Sequence, residues 1–377
     1  MSAEALRARI AKLDSEIAVK TDLEVLKKLG QEKSLASRQL NAILDPVERL
    51  PVEISSEIFL QSIHQPFPRP GARHQAPMLL LHICSAWTTI ALTVPALWAS
   101  IEIIFHAAKD LNALRIWFQR ARQSPLSVSL WGHFDDWNRS RDMAVTILGH
   151  GGQLKHLKIY HDGFGISKGP NLFEIGKKSP IVKSLPTFAM LETLNLSCGK
   201  FGSGFPVPQI LQLLHLAPNI VEINISATVR CRTPIPEDLR VVLPRLRRLT
   251  LHPSDPGKHD QIFNYFSLPA LEFLCVPNTA VAAGNLQGVL QRSAPPLQEL
   301  VTDGKSVDVL VKGYFDLVPS LERLTIGDPQ SKFLTDFCAA VTDSFAVLPQ
   351  SPQSHHRALW KDGRSCTLFE ASRSRGF

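Results

Sequence analysis

The sequence predicts an α/β chain: a short N-terminal helical segment and a three-helix module, followed by a solenoid of repeated strand-and-connection units. Three observations predict it. Apolar residues recur at helical spacing near the N-terminus, a dense apolar segment punctuated by prolines follows, and from Leu154 onward one aliphatic pattern returns seven times. The chain has 377 residues, 44 % of them hydrophobic, which is enough for one large domain or two ordinary ones with a sizeable core.

Residues 1–45 read as an amphipathic helical segment. Ala3, Leu6, Ile10, Leu13 and Ile17 step by three and four, which sets them along one helix stripe. The register then slips, and Val19, Leu23 and Leu26 continue a stripe. Gly30 offers a helix stop. Leu35, Leu40, Ile43 and Leu44 suggest a second short helix, ended by the backbone restriction before Pro46. Residues 3–29 leave open self-association as a coiled coil, packing on the rest of the chain, or a solvated extension.

Residues 46–104 are expected to form the three-helix module. Pro51 suits a helix's first turn, where its missing N–H costs nothing, and Glu53 lies beside the exposed amides of that turn. A loop rich in Pro, His and Gly spans about 64–76. A second apolar helix is expected from Met78 to Ala91, ended by Pro95. Leu50, Ile54, Ile58, Leu81, Trp87 and Trp98 are the expected core, small enough to be marginal alone.

Residues 105–150 read as a linker helix, with Leu111, Leu114 and Trp117 on one side, and a first strand at Leu126, Val128 and Leu130. Trp131 and Trp137 are expected in a polar loop. The repeat domain covers 151–345. Its pattern of leucine, two residues, leucine, one residue, leucine admits aliphatic substitutes. It falls at Leu154-Leu157-Ile159, Leu191-Leu194-Leu196, Ile220-Ile223-Ile225, Leu246-Leu249-Leu251, Leu271-Leu274-Val276, Leu297-Leu300-Thr302 and Leu321-Leu324-Ile326. Successive units start 37, 29, 26, 25, 26 and 24 residues apart, and five of these six steps lie at or inside the upper length limit of a leucine-rich repeat. The last two aliphatics of a unit lie two residues apart, so both face inward from a short strand. One unit cannot bury that face alone, so the units must stack. Parallel strands need crossovers, and Ile210, Leu211, Leu213 and Leu214 are expected in one. Alternation turns Lys158, Asn195, Asn224, Thr250, Cys275 and Thr325 outward, as candidates for holding a protein. Phe333 to Phe345 is expected as a closing helix, and residues 346–377 as an irregular tail.

Composition narrows the function. A net charge of +7, with short basic clusters such as Arg245, Arg247 and Arg248, is too dispersed to argue for nucleic acid. The six cysteines include no CxxC spacing, and Cys84 and Cys275 sit in apolar runs as small buried groups. The N-terminal residues alternate charged and apolar types, unlike a secretory signal. Ala76 to Ile101 is long enough to span a bilayer, but interior Ser, Thr and Pro residues argue against it. Motifs for catalysis are missing. Gly163, Gly165 and Gly169 lack the lysine of a phosphate loop, and no Gly-x-Ser-x-Gly elbow is present. His156 with His161, His355 with His356, Asp135 with Asp136, and Asp255 with His259 carry no nucleophile or ligand spacing. No catalytic residue, metal ligand or cofactor is expected. The location is expected to be cytoplasmic, nuclear or both.

The run from Ile43 to Trp98 resembles an F-box of the F-box-like type common in mushroom-forming fungi. The residues that carry the resemblance are Ile43-Leu44-Asp45-Pro46-Val47-Glu48-Arg49-Leu50-Pro51-Val52-Glu53-Ile54, then Glu57-Ile58-Phe59, Ala76-Pro77-Met78-Leu79-Leu80-Leu81 and Ile83-Cys84. Trp87, Ile90-Ala91-Leu92, Pro95 and Leu97-Trp98 complete it. The order of helical segment, F-box-like module and degenerate leucine-rich repeats matches the family over most of the chain. The resemblance implies a non-catalytic adaptor of an SCF-type cullin–RING ubiquitin ligase. The module would bind the Skp adaptor, and the repeats would bind a target protein. It implies a docking surface of Leu50, Pro51, Ile54, Ile58, Phe59, Leu80, Leu81 and Trp87. The Gln65–Gln75 loop is longer than in a compact F-box, and His82 and Ser85-Ala86 stand where relatives often carry basic residues. That leaves a scaffold uncoupled from ubiquitin transfer as the second reading.

Overall fold

The computed structural model describes residues 2–64, 66–69, 72–105, 109–132, 145–161, 187–199, 205–226, 229–230, 240–251, 260–276, 283–303, 317–327, 359–361 and 365–370. The fold is mixed α/β, with a large parallel sheet and several helices. The chain divides into two compact units. The first comprises residues 1–103 and 108–128, the second residues 104–107 and 129–377.

The first unit opens with two long helices, α1 (Ala3–Val19) and α2 (Leu23–Leu44). The Ser2 hydroxyl caps α1 by accepting the Ala5 N–H at 3.2 Å. The Asp22 carboxylate caps α2 by accepting the N–H groups of Glu24 (2.9 Å) and Val25 (3.3 Å). The register slip after Ile17 therefore marks a chain reversal. The α1 stripe packs on α2, burying Leu6, Leu13 and Ala36, and Lys33 pairs with Asp14 at 2.5 Å. Two expectations need correction here. Gly30 does not stop a helix, and Leu35 to Leu44 is not a separate one, because α2 runs through both. One interior glycine costs about 1 kcal/mol, too little to break a helix capped at Asp22 and packed on α1. Nothing lies within 4 Å of where a Gly30 Cβ would sit. Gly30→Ala is therefore expected to stabilise the chain by about 1 kcal/mol, read as a rise in denaturation midpoint. A fall would show that the glycine answers a constraint other than helix propensity.

Helix α2 is tied to the following module. The Arg38 guanidinium donates to the Leu81 carbonyl (3.2 Å) and the Thr88 hydroxyl (3.3 Å), and the Asn41 amide donates to the Ile83 carbonyl (3.1 Å). The module contains α3 (Val52–Gln61), a 3-10 turn at Leu79–His82, and α4 (Ser85–Thr93). The single helix expected from Met78 to Ala91 is thus broken. Cys84 adopts an extended backbone (φ −154°, ψ 176°) between the turn and α4. Phe59, Leu80, Cys84, Ala91, Leu97 and Trp98 form the core. Trp98 donates its indole N–H to the Ala91 carbonyl at 2.9 Å. The Trp117 ring of α5 (Lys109–Ala121) meets it edge-on at 4.8 Å. Leu50, Ile54 and Ile58, expected in this core, are exposed instead. The inward face of α3 is the Ser55–Phe59 stripe: the buried Ser55 hydroxyl donates to the Val47 carbonyl at 3.3 Å, and Phe59 packs on Trp87 with ring centroids 4.8 Å apart. Strand β1 (Ser100–Phe105) precedes α5, and β2 (Leu126–Gly132) follows it and continues into the second unit.

The second unit contains β3 (Leu154–His161), β4 (Thr193–Cys198), β5 (Phe205–Pro206), α6 (Val207–Leu216), β6 (Glu222–Ser226), β7 (Val229–Arg230), β8 (Val241–Val242) and β9 (Arg248–Leu251). It continues with β10 (Phe266–Ser267), β11 (Phe273–Cys275), α7 (Ala283–Ser293), β12 (Glu299–Asp303), β13 (Arg323–Gly327), β14 (Leu359–Lys361) and β15 (Ser365–Glu370). Strands β3, β4, β6, β9, β11, β12 and β13 pair in that order, every pair parallel. The short strands pair separately, β5 with β7 and β8 with β10.

The aliphatic pattern and the ladder coincide. Leu157, Leu194, Ile223, Leu249, Leu274, Leu300 and Leu324 occupy one register row, and all are buried. Leu154 is buried at the start of β3, Leu191, Ile220, Leu246, Leu271 and Leu297 are buried on the approach turns, Leu321 is half-buried, and Thr302 is buried in the slot it takes in its unit. The approach turns bond to one another in sequence. Glu192 donates to the Lys155 carbonyl (2.9 Å), Val221 to Glu192 (2.8 Å), Arg247 to Val221 (2.9 Å), Glu272 to Arg247 (2.9 Å), Gln298 to Glu272 (2.8 Å) and Glu322 to Gln298 (2.8 Å). Helix α6 supplies the expected crossover and buries Ile210, Leu211, Leu213 and Leu214. Residues 346–377 are not irregular throughout. Strand β15 pairs antiparallel with β13, and β14 pairs with β15. The closing helix expected at 333–345 lies outside the described residues. Among the described residues, no helix is long and apolar enough to cross a membrane.

Candidate functional site

Two exposed faces collect the residues singled out in the sequence, one on each unit. On the first unit, Pro51 sits at the N-cap of α3 and Leu50 just before it, its N–H bonded to the Val47 carbonyl at 3.1 Å. Ile54 and Ile58 follow one helical turn apart on the open side. Relative exposure is 40 % for Leu50, 51 % for Ile54 and 44 % for Ile58, and Pro51 is exposed as well. Val52, absent from the implied docking set, joins them at 51 %. Its signal was its place between Pro51 and Ile54 on an otherwise apolar helix start. The remaining four residues of the implied docking set divide differently. Phe59 and Leu80 are core, and Leu81 and Trp87 are half-buried. The Trp87 indole N–H is buried without a hydrogen-bond partner among the described residues. Nearby, burial pushes the Cys84 thiol up from its ordinary pKa, and the Asp45 carboxylate, which accepts the thiol at 3.5 Å, adds to the rise. That thiol is therefore a poor nucleophile.

On the second unit, the ladder aligns Lys158, Asn195, Asn224, Thr250, Cys275 and Thr325 in one row across the sheet, with Val301 between the last two. Val301 was legible in principle, because it lies between Leu300 and Thr302 of the pattern. All are half-exposed except Cys275, which is buried; its thiol is raised by burial and by the nearby Glu299. A second outward row runs His156, Thr193, Glu222, Arg248, Phe273, Glu299 and Arg323. Within it, His156 Nδ1 lies 3.0 Å from the Thr193 hydroxyl, and Arg323 pairs with Glu299 at 3.5 Å. Burial, with Lys155 alongside, lowers the His156 pKa. Two aromatic contacts hold cations on this face. Trp131 stacks on Tyr160 at 4.4 Å with Lys158 Nζ 5.4 Å from its ring centroid, and Arg248 lies 4.1 Å over Phe273. Trp131 was expected in a polar loop, yet it lies in β2.

The arrangement can bind and orient; a reacting constellation is a different matter. His161 is buried, not surface, because its five-residue offset from His156 puts it on the opposite side of β3. Among the described residues no group of three His, Cys, Asp or Glu side chains could hold a metal ion. Asp135, Asp136, Gly163, Gly165, Gly169, Asp255, His259, His355 and His356 lie outside the described residues. No family model matches the chain, and no curated protein matches it.

Proposed function

We propose that this chain is a non-catalytic adaptor of an SCF-type cullin–RING ubiquitin ligase, docking the Skp adaptor through its first unit and a target protein through its sheet face. The observation that carries the reading is the open apolar cluster of Leu50, Pro51, Val52, Ile54 and Ile58 at the start of α3. Contiguous aliphatics left in water on a small helical unit are what a protein partner would cover. They are also the residues through which the segment resembles an F-box. Phe59, Leu80 and Trp87 then support the docking face from beneath. The chain would contribute proximity, holding a target near the ubiquitin-charged enzyme while chemistry proceeds on other subunits. Such a role places it in cytoplasm or nucleus. The exposed His82 and Ser85, where relatives often carry basic residues, favour a scaffold without ubiquitin transfer as the second reading.

Co-purification of the full chain with the Skp adaptor tests the proposal. Stoichiometric capture is expected, and Leu50→Ala with Pro51→Ala and Ile54→Ala should abolish it while circular dichroism stays unchanged. Absence of capture by well-folded wild type at micromolar concentration would overturn the ligase reading and leave the scaffold.

A further inference from the structure

We infer that the outward face of the parallel sheet binds an extended acidic polypeptide, with two carboxylates received by Lys158 and Arg248. This deepens the proposed function by naming the class of target segment, and it rests on that reading of the sheet face.

The case begins with the two cations. Lys158 lies over Trp131 and Arg248 over Phe273, and neither makes an ion pair among the described residues. An aromatic ring beneath a cation restrains it without neutralising it, and leaves its remaining N–H donors directed away from the ring. The Trp131 ring is itself fixed by its stack on Tyr160. Phe273 is the direct ladder partner of Arg248 on the next strand. Both cations are thus pre-positioned donors awaiting an acceptor, whereas Arg323 on the same face already has Glu299.

Their spacing selects an extended chain. Lys158 is on β3 and Arg248 on β9, three strand steps apart and two residues out of register. Strand geometry makes that separation about 16 Å, the span of roughly five residues of extended peptide. Between the two cations the row carries Asn195 and Asn224, whose amides can meet a peptide backbone; Asn195 makes no side-chain hydrogen bond among the described residues, while Asn224 accepts from Ser226 at 3.1 Å. Charge decides against nucleic acid. Glu222, the ladder partner of Arg248, and Glu299 stand on the same face and interrupt its positive charge, which disfavours a continuous polyphosphate.

The test uses the full-length chain and fluorescein-labelled extended peptides in a Ser/Gly/Pro background. One carries two glutamates about five residues apart; its controls replace one or both by glutamine, or both by lysine. Fluorescence anisotropy should show each glutamate improving affinity about fivefold, with added salt reducing the gain. Lys158→Gln and Arg248→Gln should each remove the advantage of one glutamate, and together remove both. Equal affinity for all peptides, no binding, unchanged selectivity in both variants, or tighter binding of a single-stranded oligonucleotide would overturn the inference. Skp capture on the same preparations separates the two claims. Intact capture with flat peptide affinities overturns this inference alone, and lost capture with selective acidic binding overturns the docking proposal alone.

Discussion

Trp98→Ala is expected to destabilise the first unit by about 4 kcal/mol, the largest single effect available there. Trp98 is fully buried, and three interactions converge on it. Its N–H satisfies the Ala91 carbonyl at 2.9 Å, Trp117 meets its ring edge-on, and the Arg120 guanidinium lies 4.3 Å from its centroid. Alanine would leave a cavity of indole size between the Pro95–Trp98 turn and α5, an orphaned carbonyl at the end of α4, and a cation without its ring. A core this small cannot collapse onto such a gap. Hydrogen exchange should accelerate across α3, α4 and α5 together. Ile54→Ala, by contrast, should change stability by no more than about 0.5 kcal/mol, because Ile54 is half in water already. If both variants lose stability alike, the division of this unit into buried core and open docking face is wrong.

The second large effect lies in the sheet. Leu249→Ala is expected to cost about 3 kcal/mol, and its neighbour Thr250→Ala less than about 0.5 kcal/mol. Leu249 is fully buried in the middle of the inward row, with Ile223 on one side and Leu274 on the other. Strands on both sides hold it, so the cavity cannot be relieved by an edge moving in. Thr250 lies in the row with Asn224 and Cys275, half in solvent. Denaturant titration of the two variants checks this. Equal costs at adjacent positions would contradict the alternation on which the binding face depends, and with it the placement of Lys158 and Arg248.

Much of the repeat region was legible because its constraint is local. A strand that buries one face must alternate, and units that cannot bury that face alone must return at a regular interval. Hence the Leu157-to-Leu324 row and the outward row from Lys158 to Thr325 could both be read from spacing. The break between α1 and α2 was visible as a register slip, but not its meaning. The stripe from Leu6 to Leu13 has the same periodicity whether it meets a second chain, solvent or α2. The identity of the covering surface is a non-local fact.

The sequence by itself determined the alternation of the repeat strands, because it follows from backbone geometry, but not the burial of Cys275 on the outward row. It also marked Pro51 as a helix start and the segment holding Ile210, Leu211, Leu213 and Leu214 as a crossover. Tertiary structure decided the rest. Gly30 could be helical because α2 is capped at Asp22 and packs on α1, and α3 turned Ser55 and Phe59 inward because Val47 and Trp87 were there to receive them. That rotation is what left Leu50, Ile54 and Ile58 in water. The pairing of Lys158 with Trp131 and of Arg248 with Phe273 likewise joins residues far apart in sequence. Only the stacking order of strands brings each cation over its ring.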